Sequence, residues 1–246
     1  MVMVLLTSLL NILNKVGNNI RRHLFVFFDF EALLYSYLHD HDRFFFVQIG
    51  ACDGVSYDPL YKFVVRNHRK VKGIVVEPIK EYFEQLKKNY KRYPQIVAVN
   101  AAIHTTEKEM PLYRADPKKK KELPKWTKGI ASFYEHHHTL SGTPSDAIIK
   151  EMVPCLSFND LLKRFEITNI DLLQIDTEGY DAEIICNIDF NLVRPKIIRF
   201  EHGFTLGIMK RETLLKVIGL LHDEGYELAL EKDDATAYQR SIIVDA

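Results

Sequence analysis

Acidic side chains gather where two short apolar runs of this sequence end. Gln174-Ile-Asp176-Thr-Glu178-Gly-Tyr-Asp181 places three acids within six residues, and Phe200-Glu201-His202-Gly203 adds an acid and an imidazole. Such groups suit proton transfer, because imidazole titrates near 6.5 and a crowded carboxylate holds its proton more tightly than a lone one. Asp181 or Glu178 reads as a cap for the following helix, which leaves Asp176 as the inward-facing acid. His202 is the first candidate for a general base, with Asp176 and Glu201 as alternatives. The plain alternative for His202 is a satisfied structural histidine. Asp176, Glu178, Glu201 and His202 also form a set able to converge on a hard cation such as Mg²⁺. The preferred reading assigns no metal ligand.

A second group of residues describes a ligand. Gln48-Ile-Gly50-Ala-Cys52-Asp53-Gly54 is an apolar run entering a glycine turn, without the G-x-G-x-x-G spacing of a dinucleotide site. A nicotinamide-dependent oxidoreductase is disfavoured on that ground. Asp53 would repel a pyrophosphate and welcome a cation such as an ammonium or a sulfonium. Glu77, 23 residues beyond Gly54 at the end of the next run, can accept hydrogen bonds from both hydroxyls of a ribose, and Pro78 opens the helix behind it. Asn100-Ala101-Ala102 ends a third run, where the amide of Asn100 can meet an adenine and the small residues let the ring approach the backbone. Taken singly, Asp53 is a turn former and Glu77 a helix-start carboxylate. Together they describe an adenosine ligand without phosphate, and S-adenosylmethionine fits.

Those corners must be held by strands. From residue 43 short apolar runs alternate with helical periodicity, the pattern of a parallel sheet covered by helices. Strands are expected at Phe44–Ile49, Gly73–Glu77, Gln95–Val99, Ile170–Ile175 and Lys196–Phe200. Helices are expected near 57–68, after Pro78, near 157–165 with Ser157 as N-cap, and near 210–224. Tyr226–Leu230 and Tyr238–Val244 close the chain as an antiparallel pair. In an open sheet of this kind ligands bind beyond the carboxyl ends of the strands, where the residues above stand. Residues 115–150 break the rhythm with Pro117, four consecutive lysines, Pro124, Gly129, three consecutive histidines, Gly142 and Pro144. They read as a lid-like insertion.

The chain has 246 residues, 47% hydrophobic and 27% charged, which excludes disordered and fibrous classes and suits one large domain. Thirty-three basic residues balance 33 acidic ones, so no global field draws it to nucleic acid or an anionic membrane. Cys52, Cys155 and Cys186 form no CxxC pair, so neither a disulfide framework nor a thiolate zinc site is expected, and a reducing, cytoplasmic setting follows. Residues 1–40 read as an amphipathic helical segment: Leu5, Leu9, Ile12, Leu13, Val16 and Ile20 share one stripe, too short to span a bilayer. The domain proper is 41–246. Lys118 to Lys128 holds six lysines, one glutamate and Trp126. Its bland reading is a solvated loop, and its sharper one a clasp for an anionic acceptor. The run is too brief to favour RNA, and oligomeric state is open.

The strings Val-Gln-Ile-Gly-Ala-Cys-Asp-Gly, Val-Glu-Pro, Asn-Ala-Ala-Ile and Leu-Leu-Gln-Ile-Asp-Thr-Glu-Gly-Tyr-Asp together resemble the FkbM methyltransferase family over about residues 44–202. The Ile-Asp-Thr-Glu-Gly-Tyr-Asp block is the most specific part. The resemblance implies a Rossmann-like class I methyltransferase fold of the α/β class, with a seven-stranded, mostly parallel sheet, an antiparallel C-terminal strand and helices on both faces. It also implies S-adenosyl-L-methionine as donor and O-methylation of a sugar, polysaccharide precursor or secondary metabolite. Metal-assisted methylation, RNA methylation and a non-catalytic cofactor-binding module are the rivals. Gln48 stands where such proteins often carry an acid and Cys52 where Asn is frequent. Ala131-Ser132-Phe133 resembles a stretch of the family that returns to the cofactor, which makes Ser132 a candidate contact.

Overall fold

A computed structural model describes residues 28–56 and 58–242. The amphipathic stripe from Leu5 to Ile20 lies outside the described residues.

Seven strands form the central sheet: β1 (Phe44–Ile49), β2 (Val71–Val76), β3 (Ile96–Val99), β7 (Leu172–Ile175), β8 (Ile197–Glu201), β9 (Tyr226–Leu230) and β10 (Asp234–Gln239). Their order is β3-β2-β1-β7-β8-β10-β9. The pairs from β3 to β8 are parallel, and β10 runs antiparallel to both β8 and β9. This is the seven-stranded, mostly parallel α/β sheet expected, reversed only by its C-terminal strand. The strand order turns back between β1 and β7, so the exits of those two strands form the crevice where open sheets bind ligands.

Strand side chains alternate between two cores. Phe44 and Phe46 of β1 join one cluster while Val47 and Ile49 join the other, the period-2 alternation of a pleated strand covered on both faces. On the first face pack α1 (Phe30–His39), α2 (Pro59–Arg66) and α3 (Lys80–Asn89), through Leu34, Leu60, Phe63 and Leu86. The second face is covered by α4 (Phe158–Arg164), α5 (Asp181–Cys186) and α6 (Arg211–Asp223), through Leu161, Ile185, Val217 and Leu221. Asp29 caps α1 by accepting from Ala32 N at 3.0 Å, and Ser157 caps α4 by accepting from Asp160 N at 3.0 Å. Asp171 ties α1 to the sheet, accepting from the Tyr37 hydroxyl and from Phe45 N, both at 2.6 Å.

Two features differ from the sequence reading. The last described strand is Asp234–Gln239, and Arg240–Ile242 form a 3₁₀ turn where 238–244 was expected to be strand, residues 243–244 lying outside the described residues. Asp234 and Thr236 read as turn residues, yet they face the Arg199 guanidinium at 2.8 and 2.9 Å inside the sheet, which recruits them into the strand. A second sheet was also missed: β4 (Ala102–Ile103), β5 (Glu109–Ala115) and β6 (Ile148–Leu156), in the order β4-β6-β5. Pro111 and Pro154 interrupt both long strands and read as breakers. The irregular stretch therefore springs from an antiparallel hairpin and runs over residues 116–147, with 3₁₀ turns at Pro117–Lys119, Lys125–Lys128, His137–Ser141 and Ser145–Ala147.

Candidate active site

The glycine turn is built by close approach. Gly50 has φ +82°, and a β-carbon there would lie 1.7 Å from the carbonyl oxygen of Asp176. Only glycine lets the exits of β1 and β7 pass at this distance. Gly50 N and Ala51 N both donate to the Val76 carbonyl at 3.0 Å, and Asp176 N donates to the Ile49 carbonyl at 3.0 Å, so three strand ends are stitched together.

Glu77 sits at the centre of this arrangement. Its Oε2 accepts from Cys52 N and its Oε1 from Ile79 N, each at 2.8 Å, so the carboxylate both braces the glycine turn and holds the residue that leads into α3. Each oxygen keeps a further lone pair, and the group lines the cavity described below. Burial pushes the Glu77 carboxyl up to about 7, against the pull of those two amides, Lys128 and Arg114. Cys52 adopts φ 48°, and burial followed by the Glu77 charge pushes its thiol up to about 12, so it is an inert thiol at neutral pH.

Four further candidates have partners within the protein. Asp53 accepts from Val55 N at 3.0 Å, from Ser56 N and Oγ at 2.7 Å, and from the Lys128 ammonium. Burial opposes its charge, but Lys128 and Ser56 outweigh it and draw the carboxyl down to about 2. Gly54, at φ +72°, admits Leu86 and Tyr90 of the helical layer. The Asn100 amide donates to the carbonyls of Glu77 and Pro78, both at 2.9 Å. Ser132 is buried and donates through Oγ to the Glu178 carbonyl at 2.7 Å. None of these four lines the cavity, whereas Gly50, Cys52, Glu77, Pro78, Ala101 and Asp176 do.

That cavity measures about 260 Å³. Its floor is Gly50, Ala51, Gln48 and Gln174, one wall is Glu77, Pro78 and Ala101, and Asp58 stands at the start of α2. Tyr82 of α3 and the residues Trp126, Lys128, Gly129, Ala131 and Phe133 of the 116–147 segment complete it. The segment is pinned down by Lys128 on Asp53, Ser132 on Glu178, and His137 Nε2 against Glu178 Oε2 at 2.7 Å. Three polar oxygens of lining residues, Gln48 Oε1, Asp58 Oδ2 and Gln174 Oε1, are buried without a hydrogen-bond partner. A pocket that offers buried acceptors together with a ribose-type carboxylate suits a ligand rich in donors and positive charge. Gln174, Asp58 and Tyr82 had no signal in the sequence beyond their places at a strand end, before a proline and on a helix face.

Asp176, Glu178 and Glu201 converge at the exits of β7 and β8, each offering an oxygen within 4.8 Å of the others. Asp176 lines the cavity as an exposed residue, and the loss of solvent around its carboxyl, then the charges of Glu178 and Asp181, raise it well above the carboxylate range. Glu201 is raised by burial first and by Asp176 next, and its Oε2 has no partner. Asp181 is fully buried and structural: it accepts from Thr177 Oγ1 at 2.5 Å and from Glu201 N at 3.2 Å, locking the two strand exits together. His202 is turned away from the cluster. Its Nδ1 accepts from Phe204 N and its Nε2 faces the Asp234 carbonyl, both at 3.1 Å, so both ring nitrogens serve the backbone. The three histidines 136–138 do not share a target, since His138 meets the Glu135 carbonyl and Ser145 Oγ at 2.9 Å while His137 meets Glu178.

Sheet order, glycine turn and acidic rim define a class I methyltransferase. The model of the methyltransferase FkbM domain matches residues 48–228, and the chain belongs to that family, whose cofactor is S-adenosylmethionine. No curated protein matches its sequence. Among solved structures it is similar to a precorrin-6Y C5,15-methyltransferase from Geobacter metallireducens GS-15, at 16% identity over 85% of this chain and 86% of that one, TM-score 0.40. It is also similar to an O-methyltransferase from Bacillus cereus in complex with SAH, at 9% identity over 86% and 82%, TM-score 0.43. A third is the N-methyltransferase NodS from Bradyrhizobium japonicum WM9, at 11% identity over 84% and 90%, TM-score 0.42. Among the described residues no helix is long and apolar enough to cross a membrane.

Proposed function

We propose that this methyltransferase O-methylates a hydroxyl of a small saccharide or related polyol metabolite, with a carboxylate of the Asp176–Glu201 pair receiving the proton. The observation that carries this reading is the convergence of Asp176, Glu178 and Glu201 beside the cofactor cavity with their charges mutually opposed. Two such carboxyls share a proton, so the ionised member is a stronger base than an ordinary carboxylate. His202, first candidate from the sequence, has no free nitrogen for the task. The bound cofactor supplies a methyl group already activated on a sulfonium. Glu77 and Ala101 hold the adenosine, Asp176 orients the acceptor hydroxyl and takes its proton, and the 116–147 segment keeps water out. The saccharide class rests on the family resemblance. A small acceptor is favoured over RNA because the basic run of 118–128 is brief and carries a single tryptophan, Trp126, which lines the cofactor cavity. Three free cysteines suit work in the cytoplasm.

Transfer from methyl-¹³C-labelled cofactor to a panel of sugars and nucleotide sugars tests the reading. A ¹³C methyl ether is the expected product, reduced about 10²- to 10⁴-fold by Asp176→Asn and little by His202→Gln. Methyl appearing on nitrogen alone, or undiminished turnover in Asp176→Asn, would overturn it. The closeness of the three carboxylates also favours a second reading, a divalent cation held among them. Loss of turnover on chelation and its recovery with Mg²⁺ would select that form, and indifference to chelation the proton-sharing one.

A further inference from the structure

Of the carboxylates that line the cavity, Asp58, Glu77 and Asp176 take part in no ion pair among the described residues, and of these three Asp58 keeps a buried oxygen without a hydrogen-bond partner. Asp58 caps α2 with one oxygen, Oδ1, which accepts from Leu60 N at 2.8 Å. The other, Oδ2, is buried with no partner at hydrogen-bond distance among the described residues. Among the described residues Asp58 takes part in no ion pair, whereas Asp53, five positions earlier, is saturated by Ser56, Val55 and Lys128. Gln48 and Gln174 face each other across the β1–β7 pairing, both buried, both with Oε1 unpartnered and both lining the same cavity. Burial raises the Asp58 carboxyl, with the Leu60 amide and the Gln48 side chain acting against it.

An unpaired buried carboxylate is costly, and a cationic donor group relieves it most fully, by supplying charge and N–H donors together. Resting on the cofactor assignment, we infer that Asp58, assisted by Gln48 and Gln174, holds the α-ammonium of the amino-acid end of S-adenosylmethionine. This moves the cation-binding role that the sequence suggested for Asp53 to the other end of the same turn. It also accounts for Gln48. With a carboxylate supplied from the start of α2, the end of β1 needs only a neutral amide. Adenosine recognition by Glu77 and Ala101 and amino-acid recognition by Asp58 are then separate, and the site discriminates cofactor fragments by their amino group.

Calorimetric titration of the full chain with S-adenosylhomocysteine, its deaminated hydroxy analogue and 5′-methylthioadenosine tests the assignment. Asn is a good N-cap, so Asp58→Asn keeps the helix start and removes the charge. The expected result is a loss of roughly tenfold or more for S-adenosylhomocysteine in the variant, with 5′-methylthioadenosine unchanged. The hydroxy analogue should bind the unmodified protein about as weakly as S-adenosylhomocysteine binds the variant, a comparison that holds even where the variant folds poorly. Equal affinity of the hydroxy analogue and S-adenosylhomocysteine for the unmodified protein would overturn the inference. So would an equal loss for all ligands in Asp58→Asn, which marks a structural role. Failure of the unmodified protein to bind any of the three would overturn the cofactor assignment itself.

Discussion

Gly50 and Glu77 show how much of the site is decided by single residues. Alanine at position 50 would put its β-carbon 1.7 Å from a backbone oxygen at a φ of +82°, where no flexible side chain can yield. Gly50→Ala should therefore cost about 3 kcal/mol or more, read as a lowered urea midpoint with an unchanged m-value. A cost within error would mean that the strand exits can separate. Glu77 has a subtler signature. Its carboxyl, at 4.5 without the fold, is pushed up to about 7 within it, so the folded state binds the proton more tightly. Stability then falls as pH rises from 4.5 to 7 and stays low above that. Asp181, raised to about 6, acts with the same sign. Asp53, drawn down to about 2, acts oppositely and loses its contribution only as pH falls below 3.8. Urea midpoints for Glu77→Gln should therefore decline less steeply between about pH 5 and 8 than those of the unmodified protein. Identical slopes would assign the proton elsewhere. Residue types at the strand ends were legible in the sequence because a glycine that must bend and an acid after an apolar run are local signals. What His202 and Asp53 touch was not. The carbonyl that His202 meets lies 32 residues away, and the ammonium on Asp53 lies 75 away, in a segment without periodicity.

At the scale of elements, the 116–147 segment carries the most specific expectation. It supplies a wall of the cofactor cavity and is fastened to the rest by the packing of Phe133 on the core and the Tyr113–Ser132 backbone bridge, together with polar ties of Lys128 to Asp53, Ser132 to the Glu178 carbonyl and His137 to Glu178. Part-buried charged ties of this kind hold a segment more firmly than exposed ones, and breaking one leaves its partner unsatisfied. Lys128→Met combined with His137→Gln should raise hydrogen exchange across 116–147 by about tenfold or more while the β1 and β7 amides stay protected. Exchange rising equally in the central sheet would show that the segment and the sheet unfold as one unit. The sequence marked this stretch as an insertion through its prolines, lysines and glycines. It did not reveal the hairpin that launches it, because Pro111 and Pro154 hide two paired strands whose partners are some 40 residues apart. The central strands were legible for the opposite reason. Buried on both faces, they read as near-continuous apolar runs.

Across the whole molecule, formal charge is balanced at 33 against 33 but unevenly placed. Carboxylates meet at the β7 and β8 exits, and lysines crowd the segment above the cofactor cavity. The protein without cofactor thus keeps crowded like charges and buried, unpartnered acceptors within one crevice, a local cost that the two apolar cores must offset. A cofactor that brings positive charge and donors to this crevice binds the folded state alone, so it should stabilise the whole domain rather than one loop. At a hundred times its dissociation constant, S-adenosylmethionine adds about 2.7 kcal/mol to stability, a rise in Tm of roughly 5–10 °C for a domain of this size. Glu77→Ala should abolish most of that rise, because Glu77 joins the glycine turn, the start of α3 and the cavity wall in one carboxylate. Differential scanning calorimetry over a cofactor series checks this directly. A rise of equal size in Glu77→Ala would place the adenosine away from β2, and with it the alignment of the crevice between β1 and β7 to the strand ends.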